Sequence, residues 1–217
     1  MVKVKPNRDK AAFLVGGIKP MNTALYGAPE LHSDFVLPGF ELGDVGVITA
    51  PGSTGKSFLC LQLAYSIAVG RDLFNIFSGD PVPQGRVVSL ALEDSDKQLH
   101  NRGARICRPS DQYFSGFIQP EDMQAVEDNF FLLPLAGQNF CVVERCADGK
   151  VRLTPKMRKT VDAMKNWEVR PRLIIIDTLV LSSEGVDEND NNSMTDYLRL
   201  LKGVCRELGC SILLSHH

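Results

Sequence analysis

The sequence is short of several things, and each shortage closes off a class of function. Net charge is small: 24 Lys and Arg against 26 Asp and Glu leave a formal −2 over 217 residues. No global basic field therefore draws the chain to nucleic acid, and any DNA contact must be local or made by an assembly. No C-x-x-C occurs. The cysteines are Cys60, Cys107, Cys141, Cys146, Cys205 and Cys210, and His216 and His217 lie near the last two. The spacing within Cys141/Cys146 and Cys205/Cys210 is not that of common zinc ligands, so buried or free thiols in a reducing compartment are expected. No stretch is long and apolar enough to cross a membrane. The basic start, Met1 to Lys10, lacks the apolar core of a signal peptide, which points to a cytoplasmic protein. No internal repeat is present. With 44% hydrophobic residues, the chain can build one sizeable core, and its length suits one domain.

What is present centres on Ala50-Pro51-Gly52-Ser53-Thr54-Gly55-Lys56-Ser57. The apolar run Val45 to Thr49 precedes it like a buried strand. Phe58 to Val69 follows with apolar residues three and four apart. Strand, Gly-rich loop and helix are the context of a phosphate-binding loop. Gly52 and Gly55 are expected to let the backbone turn and aim its N–H groups inward, where the helix N-terminus adds positive dipole. Ser53, Thr54 and Phe58 complete the expected nucleotide contacts. Lys56 can reach the β- and γ-phosphates of ATP, and the Ser57 hydroxyl can ligate Mg²⁺. Ala50 stands where the pattern G-x-x-x-x-G-K-[ST] has its first glycine.

The rest of the chain alternates strand and helix patterns. Residues 1–33 read as an arm or irregular lead-in, and 34–217 as the domain. Strands are expected at 86–92, 130–134, 173–177 and 211–215. Helices are expected at 58–69, 96–107, 154–167 and 193–208, with a short one near 120–126 and a loop or small hairpin at 137–149. Thr154 with Pro155 and Gly209 mark a helix start and a helix end. This alternation means an α/β fold with a mostly parallel central sheet flanked by helices, its ligand at the carboxyl ends of the strands.

Several chemical groups fall at those ends. Asp177 closes a run of aliphatic residues in a Walker B pattern and can hold Mg²⁺ opposite Ser57. Glu93, after the second strand, is a candidate general base for orienting water, with Asp94 competing for the role. His216, or His217, can report on the γ-phosphate. Arg102 and Arg105 sit where a guanidinium can stack on adenine or lie on a solvated helix face. An acidic loop, Glu184 to Asp190, reads as a solvated loop and cap. A basic stretch, Lys150 to Lys165, reads as a solvated helix face before it reads as a DNA surface.

The glutamate after the second strand, not after the Walker B strand, resembles the RecA-like arrangement shared with ring helicases of the DnaB type. Within that group, several stretches resemble the plasmid replicative helicase RepA and its AAA-type relatives. They are Phe35-Val36-Leu37-Pro38, Ala50 to Ser57, Leu92-Glu93-Asp94, Leu132-Leu133-Pro134-Leu135, Ile176-Asp177-Thr178-Leu179, and Gly209 through His217. The resemblance implies a RecA-like P-loop NTPase core, a homo-hexameric ring with ATP between subunits, and translocation on single-stranded DNA. It gives Lys56 and Ser57 phosphate and Mg²⁺ binding, Glu93 the base, Asp177 the Walker B role and His216 that of sensor. It also implies that the DNA-binding loop and arginine finger lie beyond His217, so the domain is expected to be truncated, leaving the fifth strand as a bare sheet edge. Two other functions stay open: a regulatory or assembly ATPase that switches protein partners, and a recombination ATPase that coats DNA. A small-molecule kinase is disfavoured because no Arg-rich lid stands between strands.

Overall fold

The computed structural model describes residues 34–107 and 118–216. The arm expected at 1–33, His217, and part of the polar stretch before the short helix lie outside the described residues. The domain opens with an antiparallel pair, β1 (Phe35–Leu37) and β2 (Phe40–Glu41), and continues into β3 (Val45–Thr49). The remaining elements are α1 (Lys56–Val69), β4 (Arg86–Ala91), α2 (Asp96–Cys107), α3 (Met123–Asn129), β5 (Phe130–Pro134), β6 (Val143–Arg145), β7 (Val151–Leu153), α4 (Pro155–Lys165), β8 (Pro171–Asp177), β9 (Ser183–Glu184), α5 (Asn191–Leu208) and β10 (Ser211–His216). Short 3₁₀ turns cover Pro120–Asp122 and Val180–Ser182.

Five strands form one parallel sheet in the order β3-β10-β8-β4-β5. A strand covered on both faces reads as a continuous apolar run, and β8 is such a run. Its alternate residues divide between two clusters. Leu173 and Ile175 pack with Cys60, Leu63, Ala64 and Ile67 of α1. Ile174 and Ile176 pack with Met157, Val161 and Met164 of α4 and with Tyr197, Leu201 and Leu208 of α5. The period of two thus assigns α1 to one face and α4 with α5 to the other. On its outer side, Leu61 and Tyr65 of α1 meet Ile106 of α2 and Ile118. This explains why α1 is apolar almost all round, whereas α5 carries a stripe at Tyr197, Leu201, Val204, Cys205 and Leu208. The fold is the expected α/β arrangement, a parallel central sheet flanked by helices: β10 separates the strand before residues 50–57 from the Asp177 strand, and the strand that leads to Glu93 lies on the far side of the latter.

Two expectations need correction. The chain-final strand is not a bare edge: β10 sits between β3 and β8, and β3 is the outer strand, with Val47 47% exposed. The expected loop or hairpin at 137–149 extends into a three-stranded sheet, because β6 pairs antiparallel with β7 and parallel with β9. The β6–β7 pair is a local hairpin, but the β6–β9 pairing and the place of β10 join segments distant in sequence, and no local period announces them.

Among the described residues no helix is long and apolar enough to cross a membrane, and no group of three or more His, Cys, Asp or Glu is placed to hold a metal. All six cysteines are free thiols. Burial, with Asp177 nearby, pushes the Cys60 thiol up to about 12 against an opposing contribution from Lys56.

Candidate nucleotide site at the strand ends

The loop after β3 turns through two left-handed residues, Ser53 at φ 62° and Gly55 at φ 95°. Gly55 is the position that requires glycine. Gly52, expected to serve the turn, has ordinary φ and open space where a Cβ would stand, so neither its dihedral nor crowding demands glycine there. Gly55 is also the N-cap of α1, with no side-chain cap and no acid in the first turn. The side chain of Lys56 is buried, and its Nζ donates to Ala50 O at 2.6 Å and Pro51 O at 2.9 Å. An ammonium has three donors, so these bonds leave one for a further acceptor. Thr54 Oγ1 donates to Pro51 O at 2.7 Å and closes the loop on itself.

A cavity of about 270 Å³ is lined by Ser53, Thr54, Gly55, Lys56, Ser57, Phe58, Glu93 and Arg102. The fold brings Glu93 to it from the end of β4 and Arg102 from α2. Leu99 and Ile106 are the buried residues of α2, and Arg102 falls between them at helical spacing, on the inward side. That stripe was available in the sequence and argues against the solvated-face alternative. Arg105 lies off it and is exposed.

The two acids after β4 have different surroundings. Glu93 is exposed at the cavity. Asp94 is 5% exposed and accepts a hydrogen bond from Arg102 Nη1. Burial raises the Asp94 pKa above the usual carboxylate value, Arg102 opposes that shift, and Asp177 and Glu93 add to it. Helix α2 is capped by neither acid. Ser95 and Gln98 do so reciprocally: Ser95 N donates to Gln98 Oε1 at 2.9 Å, and Gln98 N donates to Ser95 Oγ at 3.4 Å.

Asp177 ends β8 and is not among the residues lining the cavity. It is 7% exposed, and its Oδ1 accepts from Ser215 Oγ. Ser215, which sequence reasoning did not single out, precedes His216 on the neighbouring strand. His216 also stands outside the cavity lining. Its carbonyl accepts from Ala50 N at 3.3 Å, which ties β10 to the phosphate loop. Its Nδ1 is buried without a hydrogen bond, 3.9 Å from Glu188 Oε2.

The two charge runs are used locally. Lys156 Nζ donates to Gln138 O and Asn139 O, Arg158 and Lys165 both pair with Glu207, and Arg152 pairs with Asp148. In the acidic loop Asp190 caps α5, and Asp187 accepts from Asn189 N.

A Gly-turned loop at an open helix N-terminus, with a buried lysine and a carboxylate lining the same cavity, makes a candidate P-loop nucleotide site. A family model described as an AAA domain matches residues 20–217. The chain belongs to that family. A solved structure of a DnaB-like replicative helicase, described with its interactions with primase, aligns over 80% of this chain at 19% identity and a TM-score of 0.43. The chain spans 39% of the length of that helicase.

Proposed function

We propose that this domain hydrolyses ATP as a ring motor on single-stranded DNA, as a helicase or translocase of plasmid or mobile-element replication. The observation that carries the hydrolytic half is the placing of Glu93. It shares one cavity with Ser53 to Phe58, whereas Asp94 is buried and bound to Arg102. An exposed carboxylate facing the phosphate loop can orient water in line with the γ-phosphorus and accept its proton. The P–O bond to the β-phosphate then breaks, giving ADP and phosphate. Lys56 supplies its remaining N–H to the phosphates, and the loop N–H groups at the start of α1 supply the dipole. Ser57 and Asp177 are hard oxygen donors suited to Mg²⁺, and Ser215 engages Oδ1 of Asp177. Bound Mg²⁺ would offset charge on the β- and γ-phosphate oxygens. His216 is proposed as the γ-phosphate sensor because its strand is tied to the phosphate loop.

The DNA half rests on the run of stretches resembling RepA-type helicases. One observation favours the second reading, a regulatory ATPase that switches protein partners: much of the basic stretch at 150–165 is engaged in internal ion pairs and carbonyl contacts. ATP hydrolysis measured with and without single-stranded DNA, with Glu93→Gln as the blank, separates the two. Strong stimulation by DNA is the expected result. Hydrolysis indifferent to DNA would reject the motor and leave the regulatory ATPase.

A further inference from the structure

We infer that Asp94 is a positioning residue: its buried carboxylate fixes the guanidinium of Arg102 as a flat platform for the nucleotide base. This rests on the nucleotide-binding reading above.

The argument starts from the two ends of the pair. Asp94 has 6% of its side chain exposed and Arg102 32%. The carboxylate end is thus embedded in protein while the guanidinium end reaches the cavity. A buried carboxylate without a partner is costly, so Asp94 holds its partner firmly. The two residues are eight apart in sequence, so the contact is not a helical i,i+4 pair. It joins the turn after β4 to the inward stripe of α2. A guanidinium held at Nη1 by a carboxylate is restrained at that end and has its charge partly offset. It is then poorly suited to clamp another anion and well suited to stack its face on a heterocycle. Discrimination therefore falls on the base, while phosphate affinity stays with Lys56 and the loop N–H groups.

The test is binding of Mg·ADP and of inorganic tripolyphosphate to the full chain, by calorimetry, for wild type, Asp94→Asn, Arg102→Ala and the double variant. Each single change is expected to weaken ADP by about tenfold, the scale of losing a charge-assisted contact. The double variant should bind no worse than the weaker single, because the two residues act as one unit. Tripolyphosphate affinity should hold within about twofold, since it has no base to stack. In turnover, KM for ATP should rise in Asp94→Asn more than kcat falls. Asp94→Asn binding ADP as wild type does, or losses that multiply in the double variant, would overturn the inference. So would equal loss of tripolyphosphate, which would make Asp94 a general structural residue. A fall in kcat with ADP affinity unchanged would return Asp94 to the role of base and also overturn it. If wild-type protein binds neither compound, the phosphate-loop reading fails first; tripolyphosphate binding without base-dependent losses fails the platform alone.

Discussion

Helices α1 and α5 both begin near the carboxyl edge of the sheet, yet their first turns are finished in opposite ways. At α5 the Asp190 carboxylate accepts from Asn192 N at 3.3 Å and Ser193 N at 3.0 Å. The protein's own anion satisfies the orphan donors and the dipole. At α1 the cap is Gly55, without a side-chain bond and without an acid in the first turn. α4 follows the α5 pattern, with Thr154 Oγ1 accepting from Met157 N at 3.1 Å. Capped starts serve stability. The uncapped one leaves its donors without a side-chain cap, as the proposed phosphate site requires.

The largest expected effects come from removing what the α1 end adds to its backbone. Lys56→Ala should lower ATP hydrolysis by about a hundredfold or more, the scale of losing a key donor to developing charge. Phosphate release measures it, and unchanged turnover would reject the site. Glu93→Gln should lower hydrolysis comparably while ADP still binds, since the amide keeps the shape and loses the base.

A second change makes α1 resemble α5. Thr54 is exposed and adjoins the cap. Thr54→Asp would place a carboxylate beside the first turn, and nucleotide affinity should fall by about tenfold through competition and repulsion. Thermal stability should change little, because an acid there suits the dipole while the bond from Thr54 Oγ1 to Pro51 O is lost. A fall in stability with no change in affinity would mean that the open cap is not a phosphate site.

The converse change acts on a capped start. Thr154 is 7% exposed, and its hydroxyl also donates to Cys141 O at 2.6 Å. Thr154→Ala should cost about 1 kcal/mol. The midpoint of thermal unfolding should drop by about 2–4 °C, with hydrolysis unchanged. A loss of activity without loss of stability would contradict the division between the two kinds of helix start.

The same contrast shows what the sequence could tell. Thr154 with Pro155, and Gly209 after Leu208, are local signals that bound α4 and α5 where they stand. The runs 130–134 and 173–177 are apolar and bounded by breakers, so their strands were legible. The turn between β3 and α1 was legible because its geometry is local. Strand order was not, since pairing β10 between β3 and β8 is a long-range outcome of packing. The parallel contact of β9 with β6 likewise has no period to betray it. The Asp94–Arg102 and Asp177–Ser215 contacts form between elements. Asp94, Arg102 and Asp177 came under notice by their places after strands or in the helix that follows Glu93, whereas Ser215 did not, and neither pair was revealed. The loop glycines divided: Gly55 does what its motif implies, while the other left-handed position is taken by Ser53.

The smallest effect concerns the chemistry of the α5 cap. Hydrogen bonds from the Ser193 hydroxyl and backbone hold the Asp190 carboxyl below the usual range. A depressed pKa means that the folded protein releases this proton more readily than the unfolded chain. The cap's contribution is therefore complete above the unfolded value, about 3.9. It declines as pH falls through the lower folded value, where the carboxylate is protonated and stops accepting from both N–H groups. Asp190→Asn offers a cap of similar quality that does not titrate. At neutral pH the two proteins should unfold at nearly the same temperature. Below about pH 4 the wild type should lose stability more steeply than the variant, as thermal melts across an acid series would record. Parallel acid limbs would show that Asp190 holds α5 by position alone and that its charge adds nothing at the helix end.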